Sequence, residues 1–217
     1  SNLSVGEIVD QFLQLQQHSS KPITNVVFMG MGEPFLNYNA VINASKLLND
    51  ENGIGLGARR ITISTVGIIP KIVQFTKEEH RFKLAISLNG STQEQRLQTM
   101  PIAKKFPIQS LMDSAKNYYK QRRRFLTFEY VLMDGINDDV MDAENLIHLI
   151  GSLPCKVNVI PYNEIDGEYK RPSNNRISRF IDVLKMAPFT VTVRWSNGTE
   201  IDAGCGQLVV NTGGVKS

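Results

Sequence analysis

Two stretches of this 217-residue chain carry residue types that could do chemistry. In "TEIDAGCGQL" (199–208), Cys205 stands between Gly204 and Gly206, so something bulky could reach its sulfur. A thiol in an accessible loop can become a thiolate nucleophile. Free cysteine also serves as a small buried apolar residue, and these letters alone leave both readings open. In "GMGEP" (30–34), Gly32 lets backbone groups approach a ligand, Glu33 offers a carboxylate to an ammonium group, and Pro34 stiffens the exit. A plain turn with a solvated glutamate fits the same letters.

Residues of this kind need a frame, and the frame is legible as alternation. Short apolar runs at 25–30, 59–65, 83–89, 125–133, 155–163 and 189–195 read as strands. Between them, 37–50, a segment after Gly67, 107–121, 138–151 and 175–186 have helical spacing. A further helix opens the chain: Ser4 and Glu7 form a capping box, and Val5, Ile8, Val9, Phe12 and Leu13 recur at helical intervals. Strand–helix alternation implies parallel βαβ units. The near-continuous apolar strands imply a sheet covered on both faces. Alternation by itself does not separate a barrel from an open sheet.

The totals narrow the class. A 41% hydrophobic composition suits one globular domain with a sizeable core. No apolar run reaches membrane-spanning length and no signal-peptide pattern is present, so a soluble cytoplasmic protein is expected. Two cysteines make no disulfide framework, and Cys155, opening an apolar strand, reads as core. His18, His80 and His148 are scattered in mostly polar settings and read as surface or helix residues; no metal site is assigned. The net charge of +3 permits an anionic partner without announcing one. Its basic clusters, Arg59–Arg60, Lys104–Lys105 and Arg122–Arg124, read as solvated helix ends or as a phosphate-facing rim.

In parallel α/β folds, ligand groups come from the carboxyl ends of the strands. Besides Gly32 and Glu33, those ends here carry Ser64, Ser87, Asn89 and Asn163. Uncharged donors and acceptors beside one carboxylate suit a zwitterionic, ribose-bearing small molecule better than a bare metal ion. Each residue alone is a weak signal, because Ser and Asn commonly cap helices. A parallel-barrel lyase using Glu33 and a strand-end lysine is disfavoured, since Lys83, Lys156 and Lys71 fall at strand starts or on a helix.

These ends carry a resemblance. "VVFMGMGEPFLN", "ARRITISTVGIIPKI", "LAISLN…EQR…MPI", "FEYVLMDGIND", "LPCKVNVIPYN" and "VTVR…IDAGCGQL" resemble the radical SAM methyltransferases of the RlmN/Cfr type, and the RlmN branch more closely. The resemblance implies a partial (β/α)6 barrel of parallel strands with flanking helices, missing its first strand, over residues 1–210, with a flexible tail at 211–217. It implies methylation of carbon 2 of adenine in 23S rRNA, and in some members of tRNA, by a monomeric enzyme. It places S-adenosylmethionine against Gly32, Glu33, Ser64, Ser87, Leu88, Asn89 and Asn163. Many relatives have His where this chain has Asn89, a change that a backbone contact would survive. Cys205 matches the cysteine that is methylated during the reaction.

One feature of the family is missing. Its [4Fe–4S] cluster is held by a C-x₃-C-x₂-C loop, and no such motif occurs here. The resolving cysteine and the small amino-terminal RNA-contacting domain of relatives are also absent. The expectation is therefore a truncated piece of the enzyme, inactive alone. The alternative is a cluster-free domain that binds S-adenosylmethionine or a nucleotide without methyltransferase activity.

Overall fold

In a computed structural model, residues 2–29, 32–164 and 169–195 are described. They contain six strands: β1 Val26–Phe28, β2 Ile61–Thr65, β3 Lys83–Ser87, β4 Leu126–Leu132, β5 Cys155–Pro161 and β6 Thr190–Val193. All neighbours pair in parallel, and the strands lie in the sheet in chain order. The helices are α1 Val5–His18, α2 Tyr38–Asn49, α3 Ile69–Lys77, α4 Gln93–Thr99, α5 Ile108–Arg122, α6 Val140–Ile150 and α7 Asn174–Leu184. The predicted strands and helices all form, with trimmed ends. The capping box at Ser4 forms too: the Ser4 N–H donates to Glu7 Oε2 at 2.7 Å and the Glu7 N–H to Ser4 Oγ at 3.3 Å.

The expectation that both sheet faces are apolar is wrong. When every crossover steps one strand in the same direction and is right-handed, all the helices fall on one side. The apolar cluster lies there. Ile61, Ile63, Leu84, Ile86, Leu126, Phe128, Tyr130, Val157 and Val159 pack against Ile72, Phe75, Leu111, Ala115, Leu146, Ile177 and Phe180 from the helices. Residues of opposite phase are mostly polar: Thr62, Ser64, Ser87, Thr127, Glu129, Lys156, Asn158 and Thr192. The strands looked continuous in sequence because serine and threonine are common in strands and interrupt an apolar run only weakly.

Helix α4 has no sequence signal because its attachment is polar. Its segment QEQRLQT contains one apolar residue, Leu97, which is exposed. The Gln93 amide donates to the Ala103 carbonyl at 3.0 Å and accepts from the Ile108 N–H at 2.7 Å. Gln95 donates to the Ile136 carbonyl and to Asp142. Arg96 is fully buried. Its Nη1 donates to the carbonyls of Ser87 at 2.8 Å and Leu88 at 2.7 Å, and its Nη2 to the carbonyl of Val66. One guanidinium thus ties the carboxyl tip of β2 to that of β3. Gly67 makes room for it: its φ is +105°, and a Cβ there would lie 3.0 Å from Arg96 Nη2 and from Leu111 Cδ1.

Burial without a carboxylate partner pulls the Arg96 pKa down to about 10, leaving it charged at neutral pH. Replacing it with methionine would strand three buried carbonyls, so Arg96→Met is expected to cost about 2–4 kcal/mol of unfolding free energy. A urea titration reads this as a lower midpoint at unchanged slope; an unchanged midpoint would refute the clamp. Cys155 is buried on the helix side, where desolvation pushes its thiol up to about 12. Iodoacetamide at mildly alkaline pH should leave Cys155 unmodified in the native protein and label it once the chain is denatured, as read by peptide mass mapping.

Candidate functional site at the carboxyl ends of the strands

The predicted residues that fall within the described chain stand at neighbouring strand tips, and a seam of hydrogen bonds joins one tip to the next. Gly32 has φ +85°, and nothing lies within 4 Å of where a Cβ would project, so conformation rather than crowding calls for glycine there. Glu33 is half-buried and not the solvated turn residue that its letters also allowed. Its Oε1 accepts the Phe35 N–H at 2.9 Å, capping a short 3₁₀ turn that Pro34 begins. Its Oε2 accepts the Val66 N–H at 2.7 Å, which fastens the exit of β1 to that of β2. Two backbone donors fix the carboxylate, and each oxygen keeps acceptor capacity for a third partner.

Ser64 is the buried penultimate residue of β2, and Ser87 ends β3. Leu88 is fully buried among apolar residues, so its side chain serves the core. Its backbone serves the tip. The Leu88 N–H donates to the Glu129 carbonyl at 2.8 Å while its carbonyl accepts from Arg96. In a trans peptide the C=O and the next N–H point in opposite directions, so the Asn89 N–H is turned away from Arg96.

Asn89 sits at φ +50°, a conformation asparagine tolerates better than most residues. Its side-chain Oδ1 accepts the Val131 N–H at 3.0 Å, and its carbonyl accepts from Asn137 at 3.1 Å. The side chain is therefore committed to holding β3 against β4, and the backbone is what the tip can offer a ligand. Asn163 follows the end of β5, beside Tyr162, whose N–H donates to the Leu132 carbonyl at 3.0 Å. Cys205 lies outside the described residues, as do residues 211–217 of the expected tail.

Three contributors carried no functional signal in the sequence. Arg96 was one letter in a polar run. Asn137, fully buried, donates to the carbonyls of Asn89 and Val131 and accepts the Met133 N–H, shaping the turn after β4. Glu129 lies level with Ser87 in the sheet and is only 7% exposed. Burial raises its pKa, against opposing contributions from an Asn158 hydrogen bond and the charges of Arg194 and Lys156. A glutamate in an apolar strand could have flagged the polar phase, but only pairing partners show which residues share its face.

The basic clusters divide. Arg59 and Arg60 precede β2, and Arg122, Arg123 and Arg124 precede β4, so both groups lie at the opposite end of the sheet from the tips. Arg122 and Arg124 are further tied to the backbone carbonyls of Glu79 and His80. Lys104 and Lys105 precede α5 and lie toward the tip end. At that end too, Arg171 stacks on the exposed Trp195 ring, 5.7 Å from its centre. A cavity of about 320 Å³, lined by Tyr38, Asn39, Ile42, Asn43, Lys46, Glu78 and His80, shares no residue with the strand tips. No described helix is long and apolar enough to cross a membrane.

Comparison with known proteins agrees with this arrangement. Residues 1–147 match the family model described as Radical SAM superfamily. The chain is 45% identical over 222 residues to the probable dual-specificity RNA methyltransferase RlmN 3 of Opitutus terrae, covering 97% of this chain and 59% of that protein. It is 41% identical to the dual-specificity RNA methyltransferase RlmN of Syntrophobacter fumaroxidans, covering 98% of this chain and 63% of that one. The chain thus spans about 60% of the length of these relatives. A radical SAM methyltransferase from Sphaerobacter thermophilus superposes with a TM-score of 0.90 at 40% identity, covering 95% of this chain and 62% of that structure. A domain of the pyruvate-formate lyase-activating enzyme from Bacteroides vulgatus, at 17% identity and TM-score 0.57, shares the fold. Parallel strands in chain order, a glycine–glutamate tip after β1 and these matches together make the chain a member of the radical SAM superfamily.

Proposed function

We propose that this chain is the S-adenosylmethionine-binding and methyl-carrying part of an RNA methyltransferase that modifies carbon 2 of adenine in 23S rRNA, and in tRNA where the longer protein is dual-specific. The observation that carries the reading is the seam of strand tips from Glu33 through Ser64, Ser87 and Asn89 to Asn163, in a chain 45% identical to a protein of that named activity. The donor set fits the cofactor: an oriented carboxylate for its ammonium group, and serine hydroxyls and a backbone N–H for its uncharged polar atoms.

S-Adenosylmethionine supplies the methyl group and, with a reduced iron–sulfur cluster, radical chemistry. Glu33 orients the amino acid end of the ligand. Ser64, Ser87, the Asn89 backbone and Asn163 fix the rest. The role of Cys205 follows from the target. An adenine ring carbon such as C2 is not a nucleophile, so direct polar methylation is unfavourable. A thiolate, by contrast, accepts a methyl by ordinary displacement, forming its sulfur–carbon bond as the sulfonium–carbon bond breaks. RNA would approach from the tip end, where Lys104, Lys105, Arg171 and the Trp195 ring offer phosphate and stacking contacts.

The cluster does not fit the residues of this sequence. Ligation needs a set of thiolates, and the sequence has two cysteines, one of them Cys155, buried on the helix side of the sheet. By itself this chain is expected to stay colourless after anaerobic reconstitution with iron and sulfide and to leave RNA unmethylated. A brown, active preparation would refute that part of the reading.

In the full-length protein, Cys205→Ala is expected to abolish RNA methylation while reductive cleavage of the cofactor continues. Methylation that survives the substitution removes the thiol from the mechanism. Glu33→Gln is expected to weaken S-adenosylhomocysteine binding about tenfold or more, the worth of a charge-assisted hydrogen bond. Calorimetry showing unchanged affinity would move the ammonium site elsewhere. Failure of the wild-type protein to bind S-adenosylhomocysteine at all would remove the cofactor assignment.

A further inference from the structure

A row of polar side chains crosses the helix-free face of the sheet. Residues paired in register across β3, β4, β5 and β6 are Ser87, Glu129, Asn158 and Thr192. The last three are linked in a chain. Asn158 Nδ2 donates to Glu129 Oε2 at 2.8 Å, and Thr192 Oγ1 donates to Asn158 Oδ1 at 3.1 Å. Phe128 and Tyr130 flank Glu129 in sequence and point into the apolar core on the other face. The carboxyl is thus committed to the polar side.

This group is satisfied on one side only. Burying a carboxyl is costly unless its oxygens find donors. Oε2 has Asn158; among the described residues no hydrogen bond reaches Oε1. No cation forms an ion pair with it among the described residues, since Lys156 and Arg194 influence it only through their charge. The neighbouring Ser87 is one of the residues assigned above to the cofactor pocket. What the row lacks is a donor arriving from that side.

Resting on that assignment, we infer that Glu129 is a further cofactor-binding residue: its Oε1 accepts a hydrogen bond from a ribose hydroxyl of S-adenosylmethionine, with Asn158 and Thr192 as positioning residues that hold the carboxyl in place. The chemistry of the ligand narrows the choice. Its ammonium is taken by Glu33, and its own carboxylate would be repelled. Its hydroxyls are donors without charge, suited to a carboxyl on a row of uncharged polar groups beside Ser87. A carboxylate accepting from a ribose hydroxyl is a recurrent device in nucleotide recognition.

Geometry sets the test. In Glu129→Gln, the amide oxygen would take the place of Oε2 and keep the bond from Asn158. The amide nitrogen would then occupy the Oε1 position, replacing an acceptor by a donor. Binding of S-adenosylhomocysteine and of its 2′-deoxy and 3′-deoxy analogues is measured by calorimetry on the full-length, cluster-reconstituted protein. For the wild type, at least one deoxy analogue is expected to bind about tenfold more weakly than the parent compound. In Glu129→Gln, that preference should shrink to within about threefold because binding of the parent compound weakens, while the deoxy analogue keeps its affinity.

A preference unchanged by the substitution would overturn the inference. So would equal weakening of all three ligands, which would mean that Glu129 serves another part of the molecule or only the fold. Asn158→Ala keeps the carboxylate and removes its anchor. The same preference should then fall by a smaller factor, which keeps the test decisive if Glu129→Gln does not fold. Wild-type protein that binds none of the three compounds would instead refute the cofactor assignment, a result separable from the failure of Glu129.

Discussion

Arg96 brings a positive charge to a place water does not reach, and meets three backbone carbonyls there instead of a carboxylate. That choice of partner fixes the ends of the strands. A salt bridge would have fixed two side chains; carbonyl acceptors fix the chain itself. Because a peptide's C=O and N–H oppose each other, holding the carbonyls of Ser87 and Leu88 on the helix side settles where the following N–H groups point. Leu88 passes its N–H to β4, and Asn89 presents its own away from the clamp. Val66 joins both systems, giving its carbonyl to Arg96 and its N–H to Glu33. The carboxylate after β1 and the guanidinium on α4 therefore hold the same tip from two sides.

The sheet's one-sidedness gives this arrangement its use. Six parallel strands in chain order put every crossover helix on one face and leave the other for polar groups. A parallel sheet enclosed on both faces would have hidden Ser64, Ser87, Glu129 and Asn158 in an apolar layer, at a cost that no hydrogen-bond network here offsets. Here the apolar phase of each strand builds stability and the opposite phase is free for chemistry. The two functions meet at the tips, where α4, the turn at Asn137 and the glutamate after β1 are all fastened by polar contacts.

How much of this was legible depends on the signal that each element carries. Strands and helices that bury an apolar phase announce themselves by period, and so do caps such as Ser4 with Glu7. Helix α4 buries glutamine and arginine, so period finds nothing. Its sequence QEQRLQT looks like an exposed loop, and only its partners show it to be inside. The basic clusters failed differently. Residue type was read correctly, but Arg59, Arg60 and Arg122–Arg124 stand at the amino ends of strands while the tips stand at the other.

The sequence by itself determined the alternating α/β class, the six parallel strands, the strand-end residues and the family they resemble. Those properties depend on local spacing and residue type, which a linear chain displays in full. Only the tertiary structure decided that one sheet face is polar, that the Asn89 side chain is spent on Val131 while its backbone is left over, and that Ser87, Glu129, Asn158 and Thr192 form one row. Each of these depends on which residues of separate strands stand side by side. That is fixed by register between segments tens of residues apart, and no period along the chain encodes it.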